Sequence, residues 1–197
     1  MKLGVMGGTF DPIHLGHLAA AENARFYLEL DRVLFMLSAQ PPHKLDMQVT
    51  SAHHRLKMVE LAVADNPHFE VSTLEMQRKG ASYTVDTIKQ LHVQFAQPEI
   101  YFLMGSDSLF DLVNWYHYEE IAHQCLLVSI SRPGFANEDA YQSLPLAVRA
   151  STRILEVPKL EISSTELKRR LKSGEPVRYL LPTSVEAYIK EHHLYEE

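Results

Sequence analysis

Short runs of apolar residues alternate along this chain with longer stretches in which apolar and polar positions follow a helical period. Each apolar run predicts a buried β-strand, and they lie at 2–7, 32–37, 69–73, 99–105, 125–131 and 152–157. Each longer stretch predicts a helix, and they lie at 15–30, 52–65, 84–95 and 107–113. In the second of these, Leu56, Val59 and Val63 share one face.

The alternation of strands and helices predicts the fold class. It favours an α/β fold, a Rossmann-like, doubly wound parallel sheet with helices on both faces. The strands read as continuous apolar runs, which is typical of strands covered on both sides.

The last part of the chain has a different pattern, with helices and no further strand. A helix over 163–174 begins with a capping box from Ser163 to Glu166 and stops at Gly174. A second helix over 181–195 has Pro182 near its first turn. We therefore predict one domain over 1–197, in which 159–197 forms a small C-terminal helical lobe against the sheet.

Composition narrows the class of protein. The chain has 197 residues, of which 46% are hydrophobic and 22% charged, as in ordinary globular proteins. A net charge of −6 argues against a broad nucleic-acid surface. The single cysteine, Cys125, lies in an apolar run and is predicted to be a buried packing residue. No apolar stretch approaches the roughly 20 residues that cross a bilayer, so we expect no membrane partner and a cytoplasmic location.

The segment "GGTFDPIHLGH", from Gly7 to His17, concentrates unusual chemistry directly after the first strand. Its glycines allow a tight turn, and the backbone N–H groups of Thr9 and Phe10 are candidate anion donors. The helix that follows offers its N-terminus to negative charge. His14 and His17 are three residues apart, so both can face one side of a first helical turn. The cluster predicts a phosphate-binding site.

Other interpretations of this segment are weaker. A turn with two solvated histidines remains open on local spacing alone. A zinc site lacks a nearby cysteine and an HExxH pattern. The glycines do not have the GxGxxG spacing of dinucleotide-dependent oxidoreductases, and the chain has no GxxxxGK[ST] loop.

The segment also resembles the GGTFDPIHxGH signature of the HxGH nucleotidyltransferase superfamily. Further short motifs follow in the order found in the bacterial nicotinate mononucleotide adenylyltransferase family: "PPHK" at 41–44, "SYTVDT" at 82–87, "GSDS" at 105–108, Trp115, "SRPG" at 131–134 and "ISST" at 162–165. The resemblance covers nearly the whole chain. Phosphopantetheine adenylyltransferases look similar at the start, but they usually carry Thr at the position of His14 and lack the "SYTVDT" and Trp115 region.

The resemblance implies transfer of AMP from ATP, with Mg²⁺, to nicotinate mononucleotide, giving deamido-NAD and pyrophosphate. The attacking phosphate oxygen is already anionic, so positioning and electrostatic stabilisation replace a general base or a covalent intermediate. Two alternatives stay open: the same chemistry on nicotinamide mononucleotide or phosphopantetheine, and a nucleotide-binding regulator without turnover. The oligomeric state is not predicted.

The resemblance also implies roles for residues. His14 and His17 would be catalytic, and no side chain is predicted to form a dedicated metal site. The implied ATP-binding residues are Gly8, Thr9, Phe10, His14, His17, Lys44, Asp107, Ser163, Ser164, Thr165 and Lys168. The implied acceptor-binding residues are Thr9, Phe10, Tyr83, Thr84, Trp115 and Arg132.

Two of these residues need comment. Trp115 is the only tryptophan, and it is predicted to stack on the nicotinate ring, with core packing as the alternative. Lys168 stands where the family usually has Arg, so this position keeps its charge but loses the bidentate fork.

Overall fold

A parallel six-stranded sheet organises the part of the chain that the computed structural model describes, residues 1–38, 49–78, 80–131, 138–158 and 160–196. Its strands are β1 (Lys2–Gly8), β2 (Arg32–Leu37), β3 (Phe69–Ser72), β4 (Glu99–Gly105), β5 (Leu126–Ser131) and β6 (Thr152–Glu156). They lie in the order β3-β2-β1-β4-β5-β6, and every pair is parallel. The predicted α/β, doubly wound class and all six predicted strands are confirmed.

Helices cover both faces of this sheet. In the described residues they are α1 (Leu15–Leu28), α2 (Ala52–Val63), α3 (Thr84–Gln94), α4 (Ser106–Asp111), α5 (Tyr118–Gln124), α6 (Glu138–Ser143), α7 (Leu146–Ala150), α8 (Ser164–Lys172) and α9 (Thr183–Glu191). A 3₁₀ turn, Leu112–Asn114, continues α4. None of the helices in these ranges has both the length and the apolar character that a membrane span requires.

The core has one apolar layer on each face of the sheet. Side chains of α1 and α2 form one layer, which also takes in Leu167, Val185 and Ile189 from the two C-terminal helices. Side chains of α3, α5 and α7 form the other, in which Cys125 is buried as predicted. Burial raises the pKa of the Cys125 thiol to about 12, so the group packs as a small neutral side chain.

Two differences from the predicted elements have simple causes. The last helix ends at Glu191 rather than at 195, because His193 and Tyr195 take left-handed backbone angles, with φ of 51° and 68°. The sequence pattern also missed α5, α6 and α7, which have 7, 6 and 5 residues and are too short to show a helical period.

The strand order places a crevice between β1 and β4. From β1 the chain proceeds outward to β2 and β3, and then returns to β4 on the other side of β1. Helices therefore leave these two neighbouring strands toward opposite faces, and a groove opens at their carboxyl ends. The segment after Gly8 and the segment after Gly105 both start at this groove.

Candidate active site

A large cleft lies at the carboxyl ends of the central strands. Its volume is about 1160 Å³, whereas pockets for a single small molecule usually measure about 300–1,000 Å³. The cleft is therefore large enough for two substrates side by side. It is lined by Gly8, Thr9, His14 and His17 after β1, by Ser82, Tyr83 and Thr84 before α3, by Asp107, Trp115 and Tyr116 after β4, and by Ser163 and Ser164 at the start of α8.

The loop after β1 has a backbone that only a glycine-containing segment accommodates. A Cβ atom on Gly8 would lie 2.8 Å from the ring of Phe10, and real structures essentially never show such a contact. The ring itself is buried, at 3% exposure, where it packs against Phe35 and against the edge of His17. Phe10 thus anchors the loop in the core while Gly8 and Thr9 line the cleft.

The two histidines of the signature are stacked on each other. Their ring centroids are 3.7 Å apart and the planes are inclined by 23°. His14 precedes α1 as its N-cap with extended backbone angles, so the predicted pairing within one helical turn occurs across the helix start instead. Gly16 makes this possible, because a Cβ there would lie 3.0 Å from Nδ1 of His14.

The environment keeps both rings neutral. Burial lowers the pKa of His14 to about 4. Burial, together with repulsion from His14, lowers the pKa of His17 to about 3. The backbone N–H of His14 donates to Nδ1 of His17 at 3.3 Å. The neutral His17 ring must then carry its proton on Nε2, which makes Nε2 a hydrogen-bond donor.

The start of α8 brings a second group of donors to the cleft. Ser163 is the N-cap, and its Oγ accepts from the backbone N–H of Glu166. Ser164 donates its hydroxyl to the carbonyl oxygen of Pro12 at 2.9 Å, which fixes α8 to the loop after β1. Thr165 is exposed but does not line the cleft, so only its backbone shares the helix N-terminus.

Lys168 points to the buried side of the loop after β1. Its ammonium lies 3.0 Å from Oδ2 of Asp11, and the side chain does not line the cleft. Burial alone would raise the pKa of Asp11, but hydrogen bonds from Tyr195, Thr50 and Lys168 keep it below its ordinary value. Lys168 therefore forms an ion pair with the buried carboxylate of Asp11 and does not line the open part of the cleft.

Aromatic side chains line the opposite end of the cleft. Trp115 is half-buried, its Nε1 donates to Oδ2 of Asp111 at 3.1 Å, and its ring meets Phe102 edge-on. Tyr83 and Tyr116 are exposed, with ring centroids 4.6 Å apart. Trp115 thus combines both sequence interpretations, since it packs on the core and also faces the cleft.

A buried carboxyl group supports this aromatic end. Burial raises the pKa of Glu75, although the Thr87 hydroxyl opposes the shift by donating to Oε1 at 2.8 Å. Thr87 lies on the first turns of α3, so Glu75 braces the segment that carries Tyr83 and Thr84.

Most of the predicted residues meet in the cleft. Those that line it are Gly8, Thr9, His14, His17, Tyr83, Thr84, Asp107, Trp115, Ser163 and Ser164. The side chain of Phe10 lies in the core instead, as a backbone role allows. Lys44 and Arg132 lie outside the described residues.

The sequence interpretation missed residues that act through distant contacts. Glu75, Tyr116 and Arg55 carry no motif of their own, and each has a partner on another segment of the chain: Thr87, Tyr83 and Thr9, respectively. Asp11 stands inside the signature, but nothing in the sequence links it to Tyr195, 184 residues further on.

Comparison with known proteins gives consistent results. The family model described as cytidylyltransferase-like matches residues 5–170. A probable nicotinate-nucleotide adenylyltransferase from Thermus thermophilus is 48% identical over 99% of this chain and 100% of its own. A protein of the same description from Desulfitobacterium hafniense is 45% identical over 98% of this chain and 95% of its own.

A solved structure shares the fold. Nicotinic acid mononucleotide adenylyltransferase of Plasmodium falciparum, complexed with NaAD, superposes with a TM-score of 0.81 at 21% identity and covers 99% of this chain and 97% of its own.

Proposed function

Because this chain belongs to the cytidylyltransferase-like family and to the nicotinate-nucleotide adenylyltransferases, we propose that its cleft transfers AMP from ATP to nicotinate mononucleotide in NAD biosynthesis. A phosphate oxygen of the mononucleotide bonds to the α-phosphorus of ATP. The bond from that phosphorus to the bridging oxygen breaks, and pyrophosphate leaves with the electron pair. The products are deamido-NAD and pyrophosphate, and no proton needs to be removed from the nucleophile.

One structural observation supports placing the reaction at the start of α1. His14 and His17 stack beside Gly8 and Thr9 where α1 begins, inside a cleft with room for two nucleotides. The two substrates and the charge that develops between them are all anionic. Neutral imidazole N–H groups, backbone N–H groups and two helix N-termini are suitable donors for such charge.

The site roles are divided between the two ends of the cleft. We assign ATP to the side of His14, His17, Asp107 and the start of α8, and the phosphate that attacks to the backbone of Thr9 and Phe10. Trp115 stacks on the nicotinate ring, and the backbone before α3 takes its carboxylate. Lys44, Arg132 and Thr165 keep their implied phosphate or acceptor roles as predictions, and Lys168 contributes through Asp11.

Magnesium fits this arrangement as an ion carried by ATP. Nucleotide-bound Mg²⁺ keeps several waters and needs one or two carboxylates at most, because the phosphates supply the other ligands. Among the described residues no group of three or more His, Cys, Asp or Glu is placed to hold a metal. Asp107 is the one carboxylate among the residues that we assign to ATP. The magnesium ion would neutralise phosphate charge. A cytoplasmic location is part of the same proposal, since ATP and the mononucleotide are metabolites of that compartment.

The test is pyrophosphate release from ATP and Mg²⁺ with three acceptors in turn. We expect nicotinate mononucleotide to give the highest kcat/KM, above nicotinamide mononucleotide and phosphopantetheine. Equal or better use of either competitor would reassign the acceptor. Absence of turnover with all three, with ATP still bound, would favour the non-catalytic regulator.

A further inference from the structure

A buried arginine lies beneath the loop after β1, on the side away from the cleft. Arg55 of α2 is only 2% exposed. Its Nη1 donates to the carbonyl oxygens of Thr9 at 2.8 Å and Ser38 at 2.9 Å, and its Nε donates to that of Thr50 at 2.8 Å. Guanidinium groups are rarely buried unless their donors are used in this way. Arg55 thus joins three backbone segments, two of which lead into the cleft.

The contact with Thr9 determines which way the next N–H points. In a trans peptide the C=O of one residue and the N–H of the next point in opposite directions within one rigid plane. Arg55 does not line the cleft, whereas Thr9 does. Since Arg55 holds the Thr9 carbonyl toward the interior, the N–H of Phe10 must face the cleft side, where the attacking phosphate is proposed to bind.

Asp11 supplies the charge that balances this arginine. Its carboxylate is 4% exposed, and it accepts from the Tyr195 hydroxyl at 2.7 Å and from Lys168 at 3.0 Å. Its charge also favours the charged form of Arg55 and opposes the effect of burial, which lowers the pKa of Arg55. The carboxylate is therefore fixed by the C-terminal segment and in turn holds the loop over Arg55.

We propose that Arg55, whose charge is balanced by the Asp11 carboxylate that Tyr195 fixes, is a positioning residue that orients the Thr9–Phe10 peptide so that the Phe10 N–H binds phosphate. The inference deepens the proposed function and rests on it for the identity of the anion. Arg55 touches no substrate; it acts by preventing this peptide plane from rotating. Such rotation would move a donor away from the reacting phosphate and replace it with a carbonyl oxygen, which repels the anion.

The orientation is measurable without an activity assay. Thr–Phe occurs once in the sequence, at positions 9 and 10, so labelling Thr with ¹³C at its carbonyl and Phe with ¹⁵N gives one Thr–Phe correlation in an HNCO spectrum. Titration of the wild-type protein with inorganic phosphate, the group that the mononucleotide presents to this site, should shift this amide proton downfield. In Arg55→Lys, which keeps the charge but loses the planar fork, the shift should shrink to less than half.

Kinetics provide the second measurement. A donor displaced by about 1 Å can cost about 10²-fold in rate, so Arg55→Lys should lower kcat by about 100-fold. The KM for nicotinate mononucleotide should rise as well, because the displaced Phe10 N–H binds the phosphate of the mononucleotide, whereas the KM for ATP should stay within about twofold. Arg32→Lys is the matched control. The Arg32 side chain is 39% exposed and pairs with Glu70, and it lies at the first residue of β2, whereas Ser38 follows the last. This variant should behave as wild type in both measurements.

Tyr195→Phe keeps the ring and removes only the hydroxyl that reaches Asp11, so it decides the matter if Arg55→Lys does not fold. It should lower kcat several-fold, raise the KM for the acceptor and reduce the amide shift. Wild-type kcat and amide shift in either folded variant would overturn the proposal, as would an active wild-type enzyme whose Phe10 amide does not respond to inorganic phosphate. A wild-type protein that shows the amide shift but makes no deamido-NAD would instead refute the proposed function and leave the positioning role standing.

Discussion

At the scale of single residues, the site offers uncharged hydrogen-bond donors, rather than cationic side chains, at the place where a phosphate is proposed to bind. His17 has its Nδ1 occupied by the backbone N–H of His14, which leaves a proton on Nε2. Because burial holds its pKa at about 3, the ring is neutral and donates without first losing or gaining a proton. A fixed neutral donor stabilises charge that develops late in the reaction without binding the ground state too tightly.

His17→Ala should therefore lower kcat much more than it raises the KM for ATP. Loss of one preorganised donor to an oxyanion costs about 10²–10³-fold in turnover, and we expect a value in that range at saturating Mg²⁺. His17→Asn should recover part of the loss, because its amide is also a neutral donor. Steady-state kinetics with a thermal melt make the measurement, and exposed His123→Ala on α5 is the control. Near wild-type turnover in folded His17→Ala would mean that this histidine only packs against His14 and Phe10 and does not contact the reacting phosphate.

Gly8→Ala tests the packing of the same loop. The new Cβ would meet the buried Phe10 ring at 2.8 Å, so ring and loop must shift. Forced overpacking of this kind costs about 1–3 kcal/mol, and we expect a loss of unfolding free energy in that range together with a fall in kcat. Gly105→Ala is the matched control at the end of β4, since a Cβ there meets nothing within 4 Å. Equal denaturation midpoints for the two variants would contradict the close approach.

At the scale of elements, the strands and long helices were predictable because each is an apolar run or an amphipathic stretch, and this local pattern alone indicates which residues are buried. From the residues alone, the site was predictable at the segment after β1, where glycines and two histidines follow a strand directly. Asp107, Trp115 and Ser163 were predictable only from their resemblance to family motifs. Arg55, Glu75 and Tyr195 were not predictable, because each is defined by a contact with a segment distant in sequence. Periodicity places a residue on a face of its helix but does not say which loop meets that face.

The N-terminus of α8 is an element with two functions that one substitution can separate. Ser163 caps the helix and also lines the cleft. Ser163→Ala should lower the unfolding free energy by about 1 kcal/mol through loss of the cap. Ser163→Asp keeps a good cap but places a negative charge beside the phosphates, so it should retain stability and raise the KM for ATP several-fold. If the Asp variant had wild-type affinity for ATP, the phosphates would not bind at this helix.

The turn after α4 holds in place the indole that is proposed to bind the acceptor. Asp111 accepts from Asn114 through Oδ1 and from Trp115 through Oδ2. Trp115→Ala should weaken use of nicotinate mononucleotide by about 1–3 kcal/mol, the usual worth of base–aromatic stacking, while the KM for ATP changes little. Trp115→Phe should restore most of the difference. A lower melting temperature with equal losses for both substrates would show that Trp115 serves the core alone.

At the scale of the whole molecule, the two sheet faces and the C-terminal helices meet at the loop after β1, so site chemistry and global stability are linked. His14 is buried and His17 is half-buried, and both are neutral in the folded protein, whereas in the unfolded chain each has a pKa of about 6.5. Asp11 works in the same sense at lower pH: its folded pKa is lowered, so its contribution to stability is present at neutral pH and is lost as the pH falls below the ordinary value of a carboxyl group. Glu75 has a raised pKa in the folded protein, so its contribution to the unfolding free energy becomes more favourable as the pH falls toward that pKa.

These pKa shifts predict a fold that is sensitive to acid, in which the two histidines determine how steeply the unfolding free energy changes with pH. Between pH 6.5 and the folded values of about 4 for His14 and about 3 for His17, the unfolded chain binds protons that the folded protein does not. The unfolding free energy must then fall as the pH falls, by up to about 1.4 kcal/mol per pH unit for each histidine. Urea denaturation of the ligand-free protein at pH 7.0, 6.0 and 5.0 measures this slope. His17→Asn has one fewer of these groups, so its stability should decline less steeply than that of wild type, whatever its value at pH 7.0. Parallel curves for the two proteins would mean that folding does not lower the pKa of His17, and burial would then not be what keeps this donor neutral.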